Sequence, residues 1–336
     1  MSNNSKRQIV IFHQHASPPG EPGITRHFQM GEILSSLGYQ VTVVASNFNH
    51  FRRSSRESNQ RIEKLGVVNF LWVPVNSYRE GYLGRVLSMF IFAWRAFFVS
   101  RRRFSGEITA VIGSTPSLFC AFSAFLISRR WKAPFILEVR DLWPKTLVQL
   151  GKISPRHPLV ILLAGLEKFL YRRSDRIVTV LPGAREHILA NGGKAEKLEW
   201  IPNFVDLKNV PERQLSSSPK FLAVYAGSFG LANSVETIVE AADYLRKLPG
   251  SERIQFLLIG EGPRKNSIQK MVSDFGLSSI VEFGEAQKKP DVYDVLLRAD
   301  VFLMPVLRSK LYDAGMSPNK LFDYMACARP TIFSVS

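Results

Sequence analysis

Four stretches of this 336-residue chain bring together residue types able to do chemistry. In Ser317-Pro318-Asn319-Lys320-Leu321-Phe322-Asp323, Ser317 reads as a helix cap and Pro318 as the first helical residue. The free amides there, with Asn319 and the charge of Lys320, suit a phosphate, and Asp323 one turn on can accept from a sugar diol. Glu138, Arg140 and Asp141, followed by Trp143-Pro144, close an apolar run. Either carboxylate can act as a base or orient a hydroxyl nucleophile, and Arg140 can hold a phosphate or pair with a carboxylate. A structural ion pair capping the strand is the competing account.

The third stretch runs from His13 to Arg26. Gly20 and Gly23 let backbone approach a ligand, and Arg26 opens a helix where an anion can be held, although an ordinary strand-to-helix connection reads equally well. His13 and His15 share one face with no Cys or carboxylate to complete a metal set, so substrate contact is expected and a metal is not. The fourth is a pair of glycine turns. Gly227, Ser228 and Gly230 form a weak phosphate-loop pattern, and Gly260 and Gly262 free the backbone ahead of Arg264 and Lys265, which either reach a diphosphate or form a solvated helix start.

These stretches need a scaffold that presents loops at strand ends. Val- and Ile-rich runs at 8–12, 40–45, 108–112, 135–139 and 176–180 alternate with helical patterns, and the rhythm restarts at 221–225, 254–259, 281–283 and 301–304. An α/β chain of two doubly wound, Rossmann-like domains follows: residues 1–205, a polar linker at 206–220, and residues 221–336. Such domains bind ligands at the carboxyl ends of their strands, so a crevice between them is the expected site.

Composition narrows the partners. With 44 Lys+Arg against 28 Asp+Glu, the formal charge of +16 favours anionic ones. The basic residues match no groove-reading or base-stacking module, so nucleic acid is not expected. Cys120 and Cys327 lie far apart in apolar surroundings and read as reduced core thiols in a cytoplasmic protein, and the N-terminus has no secretory pattern. No apolar run reaches the ~20 residues of a membrane span. The clearest helix, 82–104, carries Leu83, Val86, Leu87, Phe90, Ile91 and Trp94 on one stripe flanked by arginines. It is either a core helix or one that lies on an anionic membrane, and Arg129, Arg130, Trp131 and Lys132 add a second such patch.

The loop after the first strand, residues 138–144, 166–175 and 201–206, Gly260-Glu261-Gly262-Pro263 and residues 317–326 together resemble glycosyltransferase family 4, over nearly the whole chain. Residues 138–144 and 318–326 look most like the branch of bacterial surface-polysaccharide enzymes related to WbuB-type amino-sugar transferases. The resemblance implies a GT-B fold and a retaining transfer of a hexose, an amino or deoxy sugar, from a nucleoside-diphosphate sugar to a polyprenyl-diphosphate-linked acceptor. It implies no cofactor beyond that co-substrate, and a place on the inner face of the bacterial inner membrane in O-antigen, capsule or exopolysaccharide synthesis. The family's two donor-binding glutamates, eight positions apart, fall at Gly315 and Asp323, with Asp313 near the first. Its Arg and Lys pair falls near Ser228 and Asn233, which leaves the diphosphate to Lys320, Arg308, Arg264 and backbone amides. Its first-lobe histidine falls at Arg140, and the acceptor is expected near Glu21, Arg26, Arg140 and Asp141. Relatives continue for several dozen residues past the 317–326 motif, so the second domain is expected to be incomplete, with an open sheet edge. A truncated binder that transfers nothing and a nucleotide-sugar epimerase of the same fold are the alternatives.

Overall fold

The computed structural model describes residues 7–21, 23–48, 62–75, 82–104, 106–149, 153–212, 220–287 and 291–335. Pro22 and residues 213–219 of the expected linker lie outside them, as do the side chains of Tyr82, Leu83 and Arg85. The chain divides into two compact units, Met1–Pro202 with Lys310–Ser317, and Asn203–Ser309 with Pro318–Ser336.

In unit 1 the strands are β1 (Gln8–Phe12), β2 (Gln40–Ser46), β3 (Ile62–Leu65), β4 (Val68–Val73), β5 (Ile108–Ser114), β6 (Phe135–Val139), β7 (Arg176–Thr179) and β8 (Leu198–Trp200). Among the described residues they form one sheet in the order β3-β4-β2-β1-β5-β6-β7-β8, parallel except where β3 meets β4. Continuous apolar runs suit it because helices cover both faces, and Val10, Ile11, Phe12, Val43 and Val44 are wholly buried. The helices are α1 (Arg26–Ser36), α2 (Tyr82–Arg103), α3 (Leu118–Trp131), α4 (Lys145–Gln149), α5 (Pro158–Arg173) and α6 (Arg185–Ala190). Phe92 and Ala96 of α2, Ala121 and Ala124 of α3 and Leu163 and Leu170 of α5 pack with Phe12 and Phe135 on one face, while Phe28 of α1 packs with Phe70 and Trp72 on the other. Full burial of each such large side chain stabilises by roughly 1.5–3 kcal/mol.

Unit 2 carries β9 (Phe221–Ala226), β10 (Ile254–Ile259), β11 (Val281–Gly284), β12 (Val301–Val306) and β13 (Thr331–Val335), in the order β11-β10-β9-β12-β13 and parallel throughout. Helices α7 (Glu236–Leu245), α8 (Lys265–Asp274), α9 (Val292–Leu296) and α10 (Asn319–Ala326) complete it. Val239 of α7 and Val272 of α8 pack with Tyr225 and Leu258 in its core.

Both sheets reverse their winding at one strand. The order turns outward in both directions from β1 in unit 1 and from β9 in unit 2, and a ligand site forms beside the carboxyl end of such a strand. The loops after β1, β5 and β6, and those after β9 and β10, therefore stand where a ligand site forms.

Candidate functional site

Glu138 stands one residue from the end of β6, opposite Ser114 in the β5–β6 register. Its carboxylate accepts from Arg26 Nε at 2.8 Å, Ser114 Oγ at 2.6 Å and His27 Nε2 at 2.7 Å. Burial raises the Glu138 pKa, but His27 together with Arg140 and Arg26 outweighs it, and the carboxyl stays well below its usual range. Burial, offset in part by Glu138, keeps His27 neutral, so its Nε2 carries the proton it donates. Glu138 is therefore an ionised anchor that holds β6, β5 and the start of α1 together, the arrangement of the structural ion pair that competes with its reading as a base.

Arg26 belongs to the same network. Its guanidinium is 3% exposed, and besides Glu138 it donates through Nη1 to Pro202 O at 2.6 Å and through Nη2 to Ile201 O at 3.1 Å. These three bonds tie the start of α1 to protein acceptors. Asp141 accepts from Leu142 N at 2.9 Å, Thr146 Oγ1 at 2.6 Å and Trp143 Nε1 at 3.2 Å. Burial raises its pKa against these bonds. It fixes the turn into α4, while Thr115 Oγ1 accepts from Arg140 N at 2.8 Å. Gly23 precedes the bridge that pairs Ala16 with Ile24.

Two groups on this edge are differently placed. His13, 1% exposed, stacks on His27 with ring centroids 4.3 Å apart, and neither ring nitrogen has a hydrogen-bond partner among the described residues. Burial, reinforced by His27 and Arg140, holds it neutral. Arg140 Nη1 is likewise buried without a partner among those residues. Unpaired buried polar groups are rare in folded proteins and mark places where a ligand or water completes the set.

In unit 2 the two glycine turns interlock. Gly227 N donates to Ile259 O at 2.9 Å and Phe229 N to Glu261 O at 2.9 Å. Gly260 has φ +144°, and a Cβ there would lie 1.8 Å from Gly227 O, so no other residue fits. Beside this knot Lys320 Nζ donates to Asn233 Oδ1 at 2.7 Å and to Tyr225 Oη at 3.4 Å, and lies 4.6 Å from the Tyr225 ring centre. Burial lowers the Lys320 pKa to about 8. Helix α10 is fastened to the end of β9 by Tyr324, whose hydroxyl accepts from Ala226 N at 2.8 Å and donates to Ala226 O at 3.1 Å, and whose ring stacks on Phe302 at 4.0 Å.

The helix start departs from expectation by one residue. Pro318 occupies the cap position, its side chain makes no bond to the first amides, and Asn319 is the first helical residue, so the cap falls one residue past Ser317. Proline has no hydroxyl to bond them. Asp323 is buried and accepts from Tyr293 Oη at 2.8 Å. Arg264 pairs with Glu236 at 2.7 Å, while Ser228, Asn319 and Arg308 are exposed. Gly262 lies within the knot, since a Cβ there would meet Phe229 O at 2.6 Å. Gly315, in unit 1, has φ +76°, and a Cβ would lie 2.5 Å from Pro182 Cγ, so the backbone itself excludes the glutamate that the resemblance leads one to seek there.

His27, Ser114, Thr115, Tyr225, Tyr293 and Tyr324 escaped the sequence reading. Tyr225 and Tyr324 alone carried a signal, a polar-tipped aromatic within an otherwise apolar element. Among the described residues no group of three or more His, Cys, Asp or Glu is placed to hold a metal ion.

Comparison with known proteins agrees with this layout. Residues 23–203 match the Glycosyl transferase 4-like domain, and residues 220–336 match the Glycosyl transferases group 1 domain. The putative colanic acid biosynthesis glycosyl transferase WcaI of Escherichia coli K12 is 23% identical over 95% of this chain and 81% of its own. Sucrose-phosphate synthase from Thermosynechococcus elongatus superposes with a TM-score of 0.72 at 15% identity, over 98% of this chain and 82% of its own. Anabaena HepE, solved with UDP and glucose, gives 0.60 at 11% identity over 97% and 80%. With two parallel α/β units in the GT-B manner and the 4-like domain over its first half, the chain belongs to glycosyltransferase family 4.

Proposed function

We propose that the chain is a retaining hexosyltransferase that moves an amino or deoxy sugar from a UDP-sugar to a polyprenyl-diphosphate-linked acceptor during assembly of a bacterial surface polysaccharide. The observation that carries this is Lys320, half-buried against the glycine knot at the carboxyl end of β9. Two of its N–H directions are taken by Asn233 and Tyr225, and the third serves a diphosphate oxygen. The charge that grows on the departing diphosphate is met there by preorganised donors, Lys320 and the first amides of α10, joined by the exposed Arg308. Asp323, held by Tyr293, takes the ribose diol. On unit 1, Arg140 Nη1 and His13 are read as serving acceptor recognition, and in the transfer itself the acceptor hydroxyl bonds to the sugar as its bond to the diphosphate breaks, the departing diphosphate taking the proton. HepE's capture with UDP and glucose and WcaI's link to colanic acid support the donor and the pathway class. No helix among the described residues is long and apolar enough to cross a membrane, and the acceptor is reached from the cytoplasmic surface of the inner membrane.

Purified protein incubated with UDP-sugars and a polyprenyl-diphosphate-sugar should release UDP and lengthen the lipid-linked saccharide. An isomerised nucleotide sugar would make it an epimerase instead. Tight UDP binding with no turnover would leave a binder, a reading that the closed backbone at Gly315 favours.

A further inference from the structure

One face of unit 1 is unlike the rest of its surface. Leu87, Phe90 and Trp94 of α2 stand three and four residues apart, each more than half exposed, while Phe92, Ala93 and Ala96 face the core. The stripe continues onto the neighbouring helices. Phe90 meets Phe119 of α3 edge-on at 5.8 Å, Phe122 meets Phe169 of α5 at 5.9 Å, and α5 adds the exposed Ile161 and Leu162. A contiguous apolar patch of this kind on a soluble unit marks an interaction surface.

The charge that the three helices turn outward around it is positive, with the exposed Glu107 and Asp175 just past α2 and α5. Arg102 and Arg103 close α2, Arg129 and Arg130 close α3, and Arg172 and Arg173 close α5, all exposed. Each pair sits just before one of the adjacent parallel strands β5, β6 and β7, so topology gathers all three at one edge. The only acidic residue on the three helices is Glu167, and it is turned inward to His187 and Tyr171. Arginines in a last helical turn also complement the helix dipole, but that accounts for neither the exposed Phe90 and Trp94 nor the missing acids. On α2 itself a cavity of about 580 Å³ is lined by Pro74, Arg95, Phe98, Val99, Arg102 and Arg103, three guanidiniums and no carboxylate.

We propose that the α2–α3–α5 face docks on an anionic lipid bilayer and that the Arg95–Arg102–Arg103 cavity seats a lipid phosphate. Aromatic side chains at the centre enter the head-group boundary, and the arginines around them meet lipid phosphates. The inference rests on the proposed reading in which the acceptor is membrane-borne, and it extends that contact from one helix to a three-helix surface with a defined phosphate seat.

Flotation of the full chain with phosphatidylcholine vesicles, with and without phosphatidylglycerol, tests it. Binding should need the anionic lipid and fall steeply with salt. The double variant Phe90→Ser, Trp94→Ser and the triple variant Arg95→Gln, Arg102→Gln, Arg103→Gln should each lose about tenfold or more in partitioning. Lys270→Gln, exposed on unit 2, should lose none. Unchanged thermal melts show that each variant folds. Equal binding to neutral vesicles, full binding by either multiple variant, or self-association of the chain without vesicle binding would overturn the proposal. So would calorimetric binding of inorganic phosphate, lost in the triple variant, with no flotation, because the cavity would then serve a free anion. A parallel transfer assay in detergent with a short-chain acceptor separates the two readings. Transfer without flotation removes the docking surface and leaves the enzyme, and flotation without transfer does the reverse.

Discussion

Lys320 is the residue whose titration falls in the working range. Its pKa near 8 in the unliganded protein means that it is largely charged at neutrality and neutral above pH 9. UDP affinity should therefore fall as pH rises through 8, by at most about tenfold per unit, and Lys320→Gln should bind weakly with a flat profile. An unchanged pH slope in the variant would remove Lys320 from the diphosphate. Asp323→Ala should abolish UDP binding, and wild-type affinity in that variant would exclude it from the ribose. Glu138 predicts a stability effect instead. Glu138→Gln removes the buried carboxylate charge that Arg26 and His27 share and should cost about 3–5 kcal/mol, read as a lowered denaturation midpoint, whereas a change below 1 kcal/mol would deny it the anchoring role. The pH dependence of that network has a definite sign. Glu138 is held below its unfolded pKa, so its contribution is complete above the unfolded carboxylate pKa and lost as pH falls through the folded one. His13 and His27, held neutral, add acid lability that begins near the unfolded histidine value of about 6.5. His13→Gln should flatten the upper part of that loss, as followed by thermal melts between pH 5 and 7.

At the level of elements, the knot between the turns after β9 and β10 depends on an absent side chain. Gly260→Ala should cost about 2–4 kcal/mol and weaken UDP binding with it, since either the new Cβ or the Gly227 carbonyl has to move. Native stability in that variant would mean that the turns are not locked together. Burial explains most of which elements could be read from sequence, although the buried, apolar β4 went unread. β1, β6 and β10 stand where their apolar runs place them, because strands covered on both faces must be apolar throughout. β3, with Glu63 and Lys64 on a sheet edge, and the three-residue β8 show no such run, and β13 follows a turn so closely that its period is too short to register. The chemistry was legible residue by residue but not pair by pair. Arg26 announces a cation at a helix start, yet nothing local says that Glu138, 112 residues later, will occupy it, or that Tyr293 will reach Asp323 across 30 residues.

Across the whole molecule, two separate cores predict two unfolding transitions in calorimetry. UDP at a hundredfold its dissociation constant should stabilise unit 2 by about 2.7 kcal/mol and raise that transition alone, and a rise confined to unit 1 would put the nucleotide on the wrong half. The path of the chain through the units carries a consequence for synthesis. Unit 1 includes Lys310–Ser317, whose Ala314 carbonyl accepts from Gly183 N at 2.9 Å, and Tyr324 reaches back 98 residues to β9. On a translating ribosome the unit 1 sheet is complete once Trp200 has emerged, whereas its Lys310–Ser317 segment, α10 and β13 come last, so a chain that stalls before residue 310 holds an unfinished unit 2 sheet and lacks Lys320. The stretch that supplies Lys320 is thus among the last to be made, and a chain stalled before it cannot be fully folded.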